Sequence, residues 1–248
     1  MNAPGAQAGG PDVLVVATAT AGPAVERTLA GISAQLGAGR VTVVDVSGGL
    51  GSALGSALAD VTSPFVLIVR AGVVPDPHCL DVLLSRARSN RSAAVVAPLV
   101  VDAGGEMVHG GFGKRPSMHA ALVHRVNAIT SRLLGRASDP VVCPTSTVSI
   151  DWVSADCALV RVAAFTAAGA PDVRLTSDLA MAEWCGRMLR VGSTVLVDPL
   201  AGCVKQDAQA AAGVQADLVR YATICGMRLL GIAARLRIVK APDVGVAG

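Results

Sequence analysis

Aromatic side chains are scarce in this sequence: Phe, Trp and Tyr together make up only 2% of its 248 residues. Proteins that bind single-stranded nucleic acids stack bases on aromatic rings, and few such rings are present here. The net charge of +3 is also too small to indicate a nucleic-acid surface. We therefore expect no nucleic-acid partner, and a core built mainly from Ala, Val, Leu and Ile.

Closely spaced cysteine pairs are also missing. The sequence has six cysteines but no CxxC spacing, so neither a zinc knuckle nor a disulphide framework is indicated. We expect buried, reduced thiols, as is typical of a cytosolic protein. The six residues are Cys79, Cys143, Cys157, Cys185, Cys203 and Cys225.

Long apolar runs and a secretion signal are absent as well. No stretch of about 18 apolar residues predicts a transmembrane helix, and residues 1–11 lack the basic and apolar parts of a signal peptide. We predict that 1–11 form a disordered tail and that the protein is cytoplasmic. With 52% hydrophobic residues, the rest of the chain is able to bury a sizeable core.

The segment 65–77, which reads FVLIVRAGVVPDP, organises the rest of the chain. Its first five residues are apolar and turn residues follow, a pattern that predicts a strand buried on both faces. Ligands of open α/β sheets bind beyond the carboxyl ends of the strands. Arg70 therefore stands where a ligand is expected.

Strand-like and helix-like segments alternate on both sides of this segment. The alternation predicts an α/β protein with a mainly parallel central sheet flanked by helices. Thr20 is a candidate cap for the first helix. The predicted strands are 12–17, 40–45, 65–69, 93–101, 150–159 and 194–199. The predicted helices lie within 18–37, 49–61, 76–89, 118–134, 162–173 and 178–191.

Several short motifs follow one another in an order known from one enzyme family. They are VVDVSGG at 43–49, GLGSALGSALA at 49–59, the segment 65–77, WVSADCALVR at 152–161, GAPDV at 169–173, EWCGR at 183–187 with Gly192, and Pro199 with Ala201. In these motifs the sequence resembles the GT-A fold glycosyltransferases of family 2, and among them the rhamnosyltransferase-like inverting enzymes. The resemblance spans roughly residues 13–205.

The resemblance implies a protein that binds a nucleotide-diphospho-sugar and transfers the sugar to an acceptor hydroxyl. In this family an acidic residue after the third strand holds a divalent cation, and the matching position here is Gly72. The histidine that often completes the metal site corresponds to Lys205. Divalent Mg²⁺ and Mn²⁺ need oxygen ligands, so we predict no divalent-metal cofactor. Arg70 and Lys205 are then candidates to neutralise the diphosphate, or else solvated residues at a sheet edge.

Further residues are candidates for the nucleotide-sugar site. In the family, the aspartate that matches Asp45 bonds the nucleotide base, and Ser47 lies in the same turn. The alternative is that Asp45 caps the following helix. Asp156 stands where the family usually has a small residue, and a buried carboxylate there must be paired. Arg161 is its expected partner.

Sugar transfer also needs a base that deprotonates the acceptor hydroxyl. In the resemblance, the catalytic Glu-Asp pair falls on Ala180 and Met181, neither of which can act as a base. Asp178 lies two residues earlier and is the first candidate, with a role at the N-terminus of a helix as the alternative. Glu183 is the second candidate, and it can instead form a surface pair with Arg187.

The last segment, 207–248, is predicted to be a separate extension of a glycosyltransferase-like domain at 12–206. Basic and apolar residues alternate there with helical spacing. This pattern predicts a basic amphipathic helix that lies on the inner face of the cell membrane or, as the alternative, packs on the domain. Its basic residues are Arg220, Arg228, Arg235, Arg237 and Lys240.

Three functions are compatible with these features. The first is metal-independent binding of a nucleotide-diphospho-sugar, with inverting transfer to a glycan or lipid-linked acceptor if the chain is active. The second is a catalytically inactive relative that binds the same ligand or supports a partner glycosyltransferase subunit. The third is a nucleotide-binding α/β protein that shares only the fold. The sequence does not decide whether the chain is an enzyme.

Overall fold

A computed structural model of the protein describes residues 10–35, 39–108, 111–113, 144–206 and 214–227. The predicted helix 118–134 lies outside these ranges. The strands are β1 (Asp12–Ala17), β2 (Val41–Asp45), β3 (Phe65–Arg70), β4 (Val73–Pro75), β5 (Ala93–Asp102), β6 (Phe112–Gly113), β7 (Val148–Ile150), β8 (Trp152–Val153), β9 (Cys157–Arg161) and β10 (Thr194–Lys205). The helices are α1 (Gly22–Ser33), α2 (Leu50–Leu58), α3 (Cys79–Ser89), α4 (Val162–Ala168), α5 (Leu179–Arg190) and α6 (Val214–Ile224).

Eight strands form one sheet in the order β2-β1-β3-β9-β5-β10-β4, and β7 pairs with β10. Strands β2, β1, β3, β5 and β10 run in one direction, whereas β9, β4 and β7 are antiparallel to their neighbours. A separate two-stranded ribbon joins β6 and β8. The predicted α/β class, with a mainly parallel sheet and flanking helices, is therefore confirmed.

Alternate residues of the central strands enter two different apolar layers, because successive side chains of a strand point to opposite faces. In β1, Val13 and Val15 pack in the layer that contains α1 and α3, whereas Leu14 and Val16 pack with α2 and α5. Burying each large aliphatic side chain contributes about 1.5–3 kcal/mol. Because both faces of the sheet are packed in this way, the strand ends hold the loops at the edges of the sheet in position.

The segment 150–159 is not the single strand that was expected. It divides into the end of β7, the short β8 and the start of β9, because the chain turns at Ser154 and Asp156. Ser154 Oγ accepts a hydrogen bond from the Asp156 N–H at 3.3 Å. All residues from 152 to 160 are buried, so the break is not accompanied by a change from buried to exposed residues.

Strand β10 continues well beyond the predicted end at residue 199. A bulge between Asp198 and Gly202 shifts its register against β5 and lets the pairing resume. A Cβ at position 202 would lie 2.1 Å from Asp76 Oδ2, so a larger residue there would displace the Asp76 side chain. The extended strand carries Lys205 to the carboxyl edge of the sheet.

The start of α1 also differs from the prediction. The helix begins at Gly22 with a proline in its first turn, and no side chain caps it. The hydroxyl of Thr20 instead lies 3.5 Å from that of Thr18. Thr20 is therefore not a helix cap.

Helix α6 is the described part of the C-terminal segment. Its buried Leu218, Tyr221 and Ala222 belong to the same apolar layer as α5, and Arg220 pairs with Asp217 at 3.0 Å. The other basic residues of the predicted membrane-facing helix, Arg228, Arg235, Arg237 and Lys240, lie outside the described residues. Within the described ranges, none of the helices combines the length and apolarity needed to cross a membrane.

Candidate functional site

The carboxyl ends of the parallel strands meet at one edge of the sheet. Asp45 ends β2, Arg70 ends β3 and Lys205 ends β10. Because β9 is antiparallel to β3, its start lies at the same edge, and the Arg70 N–H donates to the Asp156 carbonyl at 3.0 Å. The N-terminus of α5 adds Asp178. Charged residues from distant parts of the sequence therefore share this edge.

Four of these side chains form a continuous network, which we call the ionic cluster: Arg70, Lys205, Asp156 and Asp178. Arg70 Nε lies 2.9 Å from Asp156 Oδ1, and Arg70 Nη2 lies 2.7 Å from Asp178 Oδ1. Lys205 Nζ lies 3.1 Å from both carboxylate oxygens of Asp156. Two cations from different strands thus converge on one carboxylate.

The ionic cluster is nearly closed to solvent. The side chains of Asp156 and Asp178 are 1% and 5% exposed, and those of Arg70 and Lys205 are 17% and 10% exposed. Burial raises the pKa of Asp156, but the charges of Arg70 and Lys205 outweigh burial and hold this pKa below its usual value. Burial lowers the pKa of Arg70, and the two carboxylates more than reverse this effect. Asp156 and Arg70 are therefore charged at neutral pH.

Asp178 occupies the N-cap position of α5, but its carboxylate does not bond to its own helix. Its Oδ1 accepts a hydrogen bond from the Ala155 N–H at 3.0 Å in addition to the bond from Arg70. The position at the start of a helix was predicted correctly. The role of a capping side chain was not, because the ionic cluster holds the carboxylate instead.

Arg161 is not the partner of Asp156, so the expected pairing is wrong. Asp156 directly precedes β9 and Arg161 ends it, and an extended strand keeps its two ends apart. The Arg161 guanidinium lies 4.9 Å from the centre of the Phe65 ring and donates to the carbonyl of Ala93 at 3.0 Å. Arg161 therefore lies at the end of β9 that is opposite to Asp156.

Gly72 lies in the tight turn between β3 and β4. Its φ of 89° is a backbone conformation that favours glycine. The Gly72 N–H donates to Thr28 Oγ1 at 3.0 Å, and its carbonyl accepts from the Gln206 N–H at 2.9 Å. Gly72, which matches the family's metal-ligand position, is therefore part of a turn whose backbone is hydrogen-bonded to α1 and to the end of β10.

Asp45 and Ser47 form a local turn at the end of β2. The N–H and the hydroxyl of Ser47 both donate to Asp45 Oδ1, at 2.9 and 2.6 Å, and these bonds lower the pKa of Asp45. The N-cap residue of α2 is Gly49, so Asp45 is not the helix cap. An open cavity of about 390 Å³ lies between β2 and α2, and its lining includes Asp45, Gly48, Ser52, Ser56 and Asp60.

No protein-family model matches this sequence, and no curated protein matches it, but solved structures resemble its fold. GalNAc-T7 with UDP, GalNAc and Mn²⁺ has a TM-score of 0.58 at 10% identity over 88% of this chain. The mannosyltransferase PcManGT from Pyrobaculum calidifontis, with GDP-Man and Mn²⁺, has a TM-score of 0.52 at 16% identity over 95%. S. aureus TarS has a TM-score of 0.52 at 13% identity over 90%.

The chain has the GT-A glycosyltransferase fold. It spans 48% of the GalNAc-T7 chain, 67% of the mannosyltransferase chain and 39% of the TarS chain. At these identities the likeness shows the fold alone. Membership of family 2, among the rhamnosyltransferase-like enzymes, stays a prediction.

Two of these GT-A structures contain Mn²⁺, an ion that prefers carboxylate, carbonyl and water oxygens. In this chain the oxygens of Asp156 already accept from Arg70 and Lys205, and Asp178 Oδ1 accepts from Arg70. A divalent cation here would lie beside two positive side chains. Across the described ranges, the group of three possible metal ligands is Cys79, Cys157 and Cys203, and it includes no carboxylate or histidine. The absence of a divalent-metal cofactor therefore stays a prediction.

The two positions that match the catalytic Glu-Asp pair of the family are buried in the core. Ala180 and Met181 are both 0% exposed. Glu183 is 3% exposed, and Arg187 Nε and Nη2 bond its two oxygens at 2.8 and 3.0 Å. Arg187 Nη1 also donates to the carbonyl of Ala168. The expected surface pair is therefore a buried pair that fastens α5 to the end of α4, separate from the ionic cluster.

Sequence reasoning missed Asp217 of α6, which is fully buried. Its Oδ2 accepts from the N–H groups of Thr176 and Ser177 at 2.7 and 2.6 Å. It thus ties the segment directly before Asp178 to the C-terminal helix. A signal was available, since Asp217 lies four residues before Tyr221, on the apolar face of the helix.

Proposed function

We propose that the chain binds a nucleotide-diphospho-sugar at the carboxyl edge of its sheet, and that Arg70 and Lys205 neutralise the diphosphate in place of a divalent cation. The observation that carries the proposal is the convergence of both side chains on Asp156, at the edge where α/β sheets bind ligands. Arg offers a planar fork of donors and Lys a mobile point charge, and both suit phosphate. Two solved structures with this fold contain UDP or GDP-Man, which supports the ligand class.

We assign the nucleoside to the neighbourhood of Asp45. Across β1, Asp45 is paired with Ala17 and Arg70 with Val16. The two residues are therefore two strand spacings apart, about 10 Å. This distance suits a ligand whose base lies near Asp45 while its diphosphate reaches Arg70. The cavity of about 390 Å³ beside Asp45 provides space for the base or ribose.

The ionic cluster is neutral by itself, because two cations face two carboxylates. A diphosphate must therefore compete with Asp156 and Asp178 for the same donors. A guanidinium carries five N–H donors, and the two carboxylates accept from two of those on Arg70. Removing the charge of Asp178 should tighten nucleotide binding, whereas removing the charge of Lys205 should weaken it.

Calorimetric titration with UDP, dTDP and GDP, each in EDTA and in Mn²⁺, tests the proposal. We expect one nucleotide to bind in EDTA, and Mn²⁺ not to strengthen the binding. Arg70→Lys and Lys205→Met should each weaken it about tenfold or more, because a hydrogen bond to a charged group contributes about 1.5–3 kcal/mol. The control Arg88→Met removes the same charge as Lys205→Met, but from an exposed position of α3, and should leave binding unchanged.

Two results would contradict the proposal: no binding at millimolar nucleotide, or binding that requires Mn²⁺. Arg70→Met alone leaves two carboxylates short of a partner and can unfold the chain. The double variant Arg70→Met with Asp178→Asn removes one charge of each sign, and it should bind the nucleotide more weakly than Asp178→Asn alone. Circular dichroism of each variant checks that the chain is folded.

If the chain transfers the sugar, the acceptor oxygen attacks the anomeric carbon as the bond to the diphosphate breaks, and the hydroxyl proton passes to a base. We propose Asp178 as this base, with a glycan or lipid-linked hydroxyl as acceptor. Asp178→Asn should then abolish turnover while nucleotide binding becomes tighter. A folding defect would not produce that combination. Turnover that survives both Asp178→Asn and Glu183→Gln would remove both base candidates.

A second function, binding without catalysis, is supported by the pairing of the base candidates. Asp178 is held by Arg70 and Glu183 is held by Arg187. Both carboxylates are therefore already engaged by a guanidinium within the protein. This arrangement suits an inactive relative that binds a nucleotide-sugar or supports a partner glycosyltransferase subunit. Metal-free binding without turnover, together with co-purification of an active glycosyltransferase, would favour it.

A further inference from the structure

Three cysteines that lie far apart in the sequence meet in the core of the molecule. Cys79 is the first residue of α3, Cys157 is the first residue of β9, and Cys203 lies in β10. Their Sγ atoms all lie within 4.8 Å of one another, and the Cys79 and Cys203 sulphurs are 3.7 Å apart. The prediction of buried thiols holds for these three, but the fold gathers them into one group that the sequence spacing does not reveal.

The separation of the sulphurs suits a shared metal ion. At a metal–sulphur distance of about 2.3 Å, two sulphurs on one ion lie about 3.8–4.0 Å apart for tetrahedral or trigonal angles. The 3.7 Å between Cys79 and Cys203 is close to this value. It is far longer than a disulphide bond, which is about 2.05 Å. These two cysteines are therefore free thiols at a spacing that an ion can bridge.

The surroundings of the three sulphurs narrow the choice of ion. Cys79, Cys157 and Cys203 are 2%, 2% and 1% exposed and belong to the apolar layer that also contains Val69 and Leu83. Among the described residues, no histidine or carboxylate joins the three sulphurs as a fourth ligand. Structural zinc sites have four ligands, and catalytic zinc sites leave an open position for water. A closed set of three sulphurs fits neither pattern.

We propose that Cys79, Cys157 and Cys203 form a three-thiolate site for a soft metal ion of the monovalent copper type. Thiolates are the ligands that favour Cu(I) among the biological metals. On binding, each coordinating thiol releases its proton to solvent, and the copper stays monovalent, so no oxidant or reductant is consumed. Cys79 lies in the first turn of α3, where the positive end of the helix dipole stabilises a thiolate.

The test is a titration of the reduced, full-length chain with Cu(I) under anaerobic conditions, against the competing chelator bicinchoninate. We expect one ion per chain, sulphur-to-copper charge-transfer absorption, and three sulphur neighbours in the X-ray absorption spectrum. Because the sulphurs are buried, the titration is repeated with Cu(I) present during refolding from denaturant. The nucleotide-binding experiments do not enter this readout, so the two proposals stand or fall separately.

Single variants test which sulphurs bind. Cys79→Ser, Cys157→Ser and Cys203→Ser should each abolish one-to-one binding, together with the rise in unfolding temperature that Cu(I) causes in the unchanged chain. The matched control is Cys185→Ser, because Cys185 is equally buried but packs in the opposite layer. Alanine variants at the same three positions replace any serine variant that circular dichroism shows to be unfolded.

Four outcomes would overturn the proposal. The first is no Cu(I) binding by either route. The second is binding that survives all three substitutions or is lost in the Cys185 variant. The third is preferential one-to-one binding of Zn(II) with a fourth, non-sulphur ligand. The fourth is an X-ray absorption spectrum with two sulphur neighbours per copper ion rather than three.

Discussion

The ionic cluster and the Glu183–Arg187 pair are both buried and charged, and both involve α5, but they are assembled differently. The cluster draws Arg70, Lys205, Asp156 and Asp178 from four separate segments, whereas the pair joins residues four apart on one helix. The pair forms as soon as the helix forms. The cluster forms only when the sheet is complete, because strand pairing brings its four members to one edge.

The largest effect on stability is expected from Asp156→Asn. Asp156 partners both cations and is 1% exposed, so its loss leaves Arg70 and Lys205 short of a counter-charge inside the protein. Breaking a buried ion pair costs about 3–5 kcal/mol, and urea denaturation should show a loss of that size in the free energy of unfolding. A loss below about 1 kcal/mol is typical of exposed ion pairs. It would mean that the ionic cluster contributes no more to stability than a solvent-exposed pair does.

A smaller effect is expected from Glu183→Gln, about 1–3 kcal/mol. Arg187 is 24% exposed and also donates to backbone carbonyls, so it remains partly satisfied. The same urea experiment measures the loss, with Glu26→Gln as a control because Glu26 is exposed on α1. If Glu183→Gln costs more than Asp156→Asn, the local pair rather than the cluster is the stronger element.

Acid should weaken the ionic cluster in a defined direction. The folded-state pKa of Asp156 lies below its ordinary value, whereas the unfolded chain has a pKa of about 3.9. The stabilisation that this difference provides is therefore fully present above about pH 4 and is lost as pH falls through the folded pKa. Urea denaturation from about pH 2 to pH 7 should show a shallower acid slope for Asp156→Asn than for the unchanged chain. Equal slopes would contradict the charge pairing.

The smallest effect is expected from Asp217→Asn, about 0.5–1.5 kcal/mol. The amide oxygen of asparagine still accepts from the N–H groups of Thr176 and Ser177, but it does so without a charge. Hydrogen exchange at these two amides should accelerate, because they anchor the segment before Asp178. Unchanged exchange there would show that α6 does not hold this segment in position.

The two halves of the sheet differ in how far the sequence predicts them. Strands β1 and β3 have apolar runs closed by turn residues, so their limits and the position of Arg70 at the edge were predictable. The stretch 150–159 and the end of β10 were not, because the polar turn at Ser154 lies within continuous burial and the bulge before Gly202 interrupts the pairing. Asp156 belongs to the first of these irregularities, and Lys205 lies beyond the second. Their meeting with Arg70 was therefore not visible as a pattern.

By itself, the sequence determined the fold class and the edge at which charges would gather. Both follow from hydrophobic periodicity and turn residues, which are local features that depend on a few neighbouring positions. Which charges pair was decided only by the tertiary structure. Arg70 pairs with Asp156 and Asp178 rather than with a local partner, and Cys79 lies beside Cys157 and Cys203, because strand order joins segments that are distant along the chain. Buried charges and thiols must find their partners among such long-range neighbours, because burial removes the water that would otherwise solvate them.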